Sequence, residues 1–551
     1  MHFPVLGLGF LNWDDNHNLL LNEPFLAGGV GALRWAWTTY YSGLYMPLTW
    51  MSFGLDKALW GLVPFGFHLT NWVLHAVNAV LFFSLSLALF RHDPESVPPS
   101  PRGAVAAALA ALLFSIHPLR VESVAWITER KDVLGGFFFL LSLLLYVQAA
   151  DPRAGKRARG LRTLSLGSYL FSLLSKPIAL GGPLILLALD YFPLQRWTDR
   201  RSLPALVREK IPHFALAGAG ALLALATGGR PSADTYGWDA RLTQSLACLP
   251  FYLLKTFWPN SLAPVHEFAW DMNVFSFPAG GYALGGIALM ALIFWARARA
   301  PGFFVAGIVY LALLAPIAGL LHRGPQWAAD RYTYLSCLGW AVLAGGLGAR
   351  WVFRAPRALS TILVLAAVAL LGGLATTTRA YIPCWRDSES LWRRELEIYP
   401  WSYLGNYNLG TTLLERDRPA DALPFLTASI RLHPEVPDTY NNRGRALLAL
   451  GRPEEAGTDF SRALALNPAM AEARVNRGQA FMNRRRFAEA ALDFAEAARL
   501  RPDWTSAWIK LGLARRLAGD LPGAAAAFRR ALDLDPQQES VRRWLAELPA
   551  S

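Results

Sequence analysis

Two adjacent carboxylates, Asp14 and Asp15, stand in the run Asn12-Trp13-Asp14-Asp15-Asn16. Such a pair could chelate a divalent cation, or one member could take a proton from an attacking hydroxyl. A solvated loop built of Asx turns would use the same residue types. A second group, His117-Pro118-Leu119-Arg120-Val121-Glu122 followed by Thr128-Glu129-Arg130-Lys131-Asp132, gathers seven ionisable side chains and reads equally as a loop of compensating ion pairs. Lys176, in the apolar stretch Leu174-Ser175-Lys176-Pro177, is harder to place at a surface. An ammonium there needs an anion, a water-filled cavity or a reach to the interface, and a phosphate would suit it. Asp330-Arg331-Tyr332-Thr333-Tyr334 forms a third group, in which Asp330 and Arg331 could pair and the tyrosines could mark a membrane interface.

Long apolar elements must position these groups. Runs near or above spanning length lie at 67–90, 104–118, 133–150, 211–228, 277–296, 302–321, 332–348 and 358–377. The 551-residue chain is 54% hydrophobic and only 17% charged, and it carries a net charge of +13. That composition excludes intrinsic disorder and an ordinary multidomain soluble protein. Cys248, Cys337 and Cys384 are too few and too far apart for a disulfide scaffold.

The surplus charge has a pattern. Residues after Pro400 hold 21 Arg or Lys against 18 acids, so most of the excess lies in the apolar part. There it collects in five groups between runs: Arg91 and Arg102; Arg153, Lys156, Arg157, Arg159 and Arg162; Arg196, Arg200, Arg201, Arg208 and Lys210; Arg297 and Arg299; and Arg350, Arg354 and Arg357. The positive-inside rule assigns these 17 residues to the cytoplasm, and nucleic-acid binding is not indicated. Consecutive cytoplasmic loops need an even number of crossings, so the stretch 164–192 is expected to cross twice, broken at Ser175-Lys176-Pro177. The ionisable groups then converge on the opposite face and suggest one site for an anionic headgroup. Met1–Leu11 is apolar but too short to span and lacks the features of a signal peptide, so a truncated first helix is expected.

Beyond residue 400 the chain repeats every 34 residues: Pro400, Pro434, Pro468, Pro502 and Pro536; Gly410, Gly444, Gly478 and Gly512; Ala422, Ala456, Ala490 and Ala524; then Leu426, Phe460, Phe494 and Phe528. This is the tetratricopeptide pattern, in which small residues allow paired helices to approach and proline ends the second helix. Gln537–Leu548 is expected to cap the solenoid, whose concave face would bind polypeptide.

The runs Phe10-Leu11-Asn12-Trp13-Asp14-Asp15, Pro47-Leu48-Thr49-Trp50, His68-Leu69-Thr70-Asn71, His117-Pro118, Glu129-Arg130-Lys131-Asp132-Val133-Leu134, Leu174-Ser175-Lys176-Pro177 and Ala329-Asp330-Arg331-Tyr332-Thr333-Tyr334-Leu335 resemble bacterial relatives of the transmembrane and tetratricopeptide-repeat-containing O-mannosyltransferases. The resemblance covers essentially the whole chain. It implies an all-α fold: a GT-C-type multi-pass helical membrane domain at 1–378, a linker helix at 379–399, and four repeats with a capping helix at 400–551. It also implies transfer of a mannose-like sugar from a polyprenyl-phosphate donor to Ser or Thr of a polypeptide held by the repeats. By this resemblance Asp14 or Asp15 acts as the base. Lys176, Arg130 and Arg331 bind the donor phosphate, while His117, Glu122, Asp132 and Asp330 orient substrate. No cofactor is implied, although the carboxylate pair could take a divalent metal. The expected location is a bacterial inner membrane with the repeats in the periplasm or outside. Ser336 stands where relatives usually have proline, and Pro177 where animal members tend to have glutamate. A membrane-anchored, non-enzymatic tetratricopeptide scaffold is the competing reading, and a ligase using a lipid pyrophosphate donor is another.

Overall fold

A backbone removed from water must satisfy its own amides, and an apolar run of spanning length does so as a helix. The computed structural model describes residues 1–41, 43–92, 101–227, 237–267, 278–319 and 326–548. Among the described residues, three helices are long and apolar enough to cross a membrane: Pro64–Arg91, Ile127–Ala150 and Arg357–Trp385, of 28, 24 and 29 residues. Two bent pairs, Pro101–Ser115 with Pro118–Ala125 and Asp330–Ser336 with Leu338–Arg354, turn by 58° and 60° at their breaks and would bring the number to five. Ala179–Tyr191, Ile211–Ala226, Ala279–Trp295 and Pro301–Leu314 are shorter and apolar. The chain is a multi-pass membrane protein, all helical apart from a small antiparallel ribbon that pairs His266–Glu267 with Gln326–Ala328.

The expected break at Lys176 is present. The helix Ala158–Ser175 ends there because Pro177 disfavours helical geometry in the residue before it, and Lys176 is extended at φ −158°, ψ 130°. The chain then resumes as the helix Gly182–Tyr191. Several helices fall outside the expected runs, the two longest being Pro47–Trp60 and Trp238–Phe257. The first carries Asp56 and Lys57, and the second carries Asp239, Arg241, Gln244 and Lys255 around Pro250. These residues lower the hydropathy that marked the other runs. The run expected at 302–321 is helical only to Leu314, and its residues 320 and 321 lie outside the described ones, as do 228 and 277 of two other runs.

Some of the basic residues assigned above to membrane orientation have internal partners. Buried Asp190 accepts a hydrogen bond from Tyr146 at 2.8 Å and pairs with Arg196 at 2.9 Å and with Lys210. Glu209 pairs with Arg196 at 2.7 Å and Arg162 at 3.2 Å. These cations therefore have carboxylate partners within the fold, around the buried Asp190.

The chain separates into two compact units, Met1–Leu391 and Trp392–Ser551. The second contains four helical hairpins: Tyr403–Glu415 with Pro419–Leu432, Pro437–Ala449 with Pro453–Leu466, Ala471–Asn483 with Phe487–Leu500, and Thr505–Leu517 with Leu521–Leu534. Glu539–Ala546 follows them. The periodic residues are the packing contacts. A Cβ added to Gly444 would lie 2.6 Å from Phe460, and one added to Gly478 would lie 2.7 Å from Phe494, so any side chain would separate the paired helices. Each second helix stops two residues before its proline, as at Leu466 and Pro468.

Candidate active site

Asp14 and Asp15 sit on the segment between the short turn Phe3–Gly7 and the one-turn helix Asn16–Leu20. Their environments differ. Asp15 is completely buried, and every hydrogen bond it accepts comes from the surrounding protein: Leu11 N–H at 3.0 Å, Thr128 N–H at 3.1 Å and the Thr128 hydroxyl at 2.5 Å. Burial raises this carboxyl to about 6, and the bonds from Thr128 and Leu11 limit the rise. Asp15 therefore ties its segment to the turn at Ile127–Glu129. Asp14 is half-buried and, among the described residues, accepts no hydrogen bond and forms no ion pair.

Aromatic stacking places this segment further. Trp13 stacks on Trp126 with ring centroids 4.3 Å apart at 15°. The Trp126 ring also meets the Arg331 guanidinium at 5.4 Å and the Lys131 ammonium at 5.8 Å. The backbone N–H of Asn12 donates to the Ser388 hydroxyl at 2.6 Å.

Arg331 and Lys131 open onto a buried ionic network. Glu122 receives two bonds from Arg331, one from its backbone N–H at 2.7 Å and one from its guanidinium at 2.5 Å. Glu129 pairs with Lys131 at 3.0 Å, Lys176 at 3.2 Å and Arg331 at 3.4 Å. Asp132 pairs with Lys176 at 2.6 Å and accepts from the Ser123 hydroxyl at 3.2 Å. These charges are removed from water, so each requires a partner, and the network supplies one. The anions that Lys176 needs are thus carboxylates of the protein itself.

The structure brings together Glu122, Asp132, Lys176 and Arg331 of the expected site, with Asp14 and Asp15 beside them through Trp126. It separates the others. Arg130 points the opposite way along its helix and is fully buried against Asp56 at 2.6 Å, Phe67 carbonyl at 2.8 Å, Ser52 at 3.2 Å and the Asn71 side chain. With nearly all its donors taken, it is not available to a phosphate as the sequence reading expected. His117 is also committed locally: one ring nitrogen accepts from Leu119 N–H at 3.2 Å and the other meets the Thr256 carbonyl at 2.9 Å. That leaves no imidazole nitrogen to orient a sugar. One oxygen of Asp330 pairs with His266 of the two-stranded ribbon at 3.0 Å, while the other is buried without a hydrogen-bond partner, and its charge is felt at Glu122.

Glu129 and Lys131 lie at the centre of the network but were not singled out by the sequence reading. They sit in the same ionisable run, and their number without identical spacing was the only sequence signal. Asp56, the partner of Arg130, lay outside every group considered. Among the described residues, no three His, Cys, Asp or Glu side chains converge in a way that could hold a metal ion.

A tetratricopeptide-repeat family model matches residues 407–471, 456–505 and 475–539. Among curated proteins, the chain is 26% identical over 448 residues to protein O-mannosyl-transferase TMTC1 of Homo sapiens, covering 72% of this chain and 49% of that protein. It is 26% identical over 435 residues to protein O-mannosyl-transferase TMTC4 of Mus musculus, covering 69% of this chain and 57% of that protein. The chain thus spans about half the length of these curated relatives. Among solved structures, the tetratricopeptide protein YrrB, described as having an unusual peptide-binding site, is 20% identical with a TM-score of 0.27, covering 33% of this chain and 90% of that one. By sequence the chain is a relative of the protein O-mannosyl-transferases.

Proposed function

We propose that this relative of the protein O-mannosyl-transferases is itself a membrane glycosyltransferase. It would move a mannose-like sugar from a polyprenyl-phosphate donor to a Ser or Thr hydroxyl of a polypeptide, on the extracytoplasmic side of a bacterial inner membrane. The observation that carries this reading is the contrast between the two adjacent carboxylates. Asp15 is occupied in holding the segment, whereas Asp14 makes no bond that would prevent it from meeting an acceptor hydroxyl.

In this reading the acceptor oxygen attacks the anomeric carbon while the bond from that carbon to the phosphate oxygen breaks. The electron pair leaves with the phosphate, and the hydroxyl proton passes to Asp14. The attack comes from the face opposite the leaving group, so the anomeric configuration inverts. A phosphate leaves without protonation but gains negative charge, and the cations of the buried network, Lys176 and Arg331, would stabilise it. Their own carboxylate partners hold them in place for that role, and Glu122 and Asp132 act here as positioning residues. The repeats would bind the acceptor polypeptide, and covalent linkage to the membrane unit would raise its effective concentration.

Purified full-length protein and its Asp14→Asn variant are to be assayed for sugar transfer from a polyprenyl-phosphate mannose to a mixture of Ser- and Thr-containing peptides. Asp14→Asn is expected to lose about two to four orders of magnitude in rate with an unchanged melting temperature. Full activity in that variant removes Asp14 as the base. Absence of transfer by the unaltered protein from any lipid-phosphate or lipid-pyrophosphate donor favours the scaffold reading instead.

A further inference from the structure

Three cations and three carboxylates of the buried network pair with one another. Arg331, Lys131 and Lys176 are matched by Glu122, Glu129 and Asp132. One further buried cation lies against this network and forms no salt bridge with it. Arg120 is only 2% exposed, yet it forms no ion pair with any described residue, and its Nε and one terminal nitrogen have no hydrogen-bond partner. The other buried arginines and lysines among the described residues are satisfied. Arg130, Lys131, Lys176, Lys210 and Arg331 each pair with a carboxylate, and Lys255 donates to the carbonyls of Asn260 and Ser261.

The neighbours of Arg120 leave most of its donors open. Its guanidinium lies 5.6 Å from the Phe114 ring centre and 5.7 Å from that of Tyr334, so two aromatic faces enclose it without accepting its hydrogens. The Cys337 sulfur takes one hydrogen bond from it, and Asp132 influences it electrostatically but spends its own oxygens on Lys176 and Ser123, so two of its three nitrogens stay open. A buried guanidinium with free N–H groups is unfavourable unless an anion completes it.

Its position in the fold also points to a ligand. Arg120 closes the turn Pro118–Arg120, at the break of the first bent helix pair. Tyr334 and Cys337 lie at the break of the second bent pair. Helices interrupted at membrane depth leave backbone and side-chain groups free for a bound ion or substrate, and here both interruptions meet at one unpaired cation.

We infer that Arg120 is the phosphate-binding residue of this site, its unpartnered guanidinium nitrogens donating to the oxygens of a phosphate diester. The inference rests on the transferase reading for the identity of the lipid-linked donor. The orphaned guanidinium itself does not depend on that reading. Arginine suits the role because its planar fork can bond two phosphate oxygens at once. Lys176 and Arg331 then act around the phosphate while held by carboxylate partners of their own, and Arg120 supplies free donors.

The test uses the full-length protein in detergent, with undecaprenyl phosphate, undecaprenol and inorganic phosphate as probes, read by thermal stabilisation and tryptophan fluorescence. The unaltered protein is expected to bind undecaprenyl phosphate but not undecaprenol. Arg120→Met should bind it at least tenfold more weakly, with Arg120→Lys in between. Without any probe, Arg120→Met should melt at or above the temperature of the unaltered protein, because it removes a buried cation that has no ion pair and unsatisfied donors. A response equal for inorganic and undecaprenyl phosphate would assign the site to free phosphate, and a stronger response to the lipid would assign it to a lipid-linked one. Unchanged phosphate binding by Arg120→Met, or a lower melting temperature without probe, would overturn the inference. Loss of phosphate binding in Arg120→Met, in a protein that transfers no sugar, would retain Arg120 and reject the transferase reading alone.

Discussion

At the scale of single residues, two neighbouring carboxylates have different physical tasks. Asp15 is surrounded by donors and shielded from water, so its carboxyl lies at about 6 against an ordinary 3.8. Between those values the folded chain holds a proton that the unfolded chain has released. The contribution of Asp15 to stability therefore grows as the pH falls from about 7 towards 4, by up to about 1.4 kcal/mol per pH unit. Asp15→Asn removes this slope. It also turns an amide N–H towards one of the donors that Asp15 accepts from, at a cost of about 1–3 kcal/mol. Melting of the two proteins between pH 7 and pH 5 checks both effects: the slopes should differ, and the variant should melt lower at pH 7. Identical slopes would mean that Asp15 ionises normally. The pair Asp14 and Asp15 was legible in the sequence as a candidate base, but their division of labour was not. The deciding contact comes from Thr128, 113 residues away.

At the scale of elements, the 34-residue period translates directly into packing. Ala456, Ala490 and Ala524 and Phe460, Phe494 and Phe528 are all fully buried on the second helix of their hairpins, where each Phe packs on the glycine of the first helix. Phe494→Ala should cost about 3–5 kcal/mol, read as a lower melting temperature of the repeat unit. The turn between the paired helices also repeats: Asp417, Gly451, Arg485 and Gly519 all have positive φ, at 56°, 73°, 55° and 86°. Two of the four are glycine, the residue without a Cβ penalty there. Arg485→Gly is therefore expected to stabilise the repeats by about 1 kcal/mol, and an unchanged or lower melting temperature would contradict this. In the membrane unit, the proline after Lys176 determines where the helix ends. Hydropathy missed Pro47–Trp60 and Trp238–Phe257 because their polar residues are paired inside the protein, as Asp56 is with Arg130 and Lys255 with two carbonyls.

At the scale of the whole molecule, the charge has two functions that composition alone does not separate. Part of the basic surplus is what the positive-inside rule would use for orientation, and part pairs with carboxylates inside the fold such as Asp190, Glu209, Glu122 and Asp132. The orientation remains testable: protease added to intact spheroplasts should digest the repeats, whereas digestion only after lysis would invert the topology. The sequence by itself determined the helical class, the repeats, the break at Lys176 and the existence of polar groups between apolar runs. Each of these follows from local rules: hydropathy over a span, a fixed period, or the steric effect of proline on its neighbour. Only the tertiary structure decided which charges meet. Arg331 reaches Glu122 across 209 residues, Arg130 reaches Asp56 across 74, and Lys176 reaches Asp132 across 44. Electrostatic interaction depends on distance in space and on removal from water, neither of which is written in the spacing of residues along the chain. For the same reason Arg120 looked like one charge among seven in the sequence, and only the packed structure left it the buried arginine without a carboxylate.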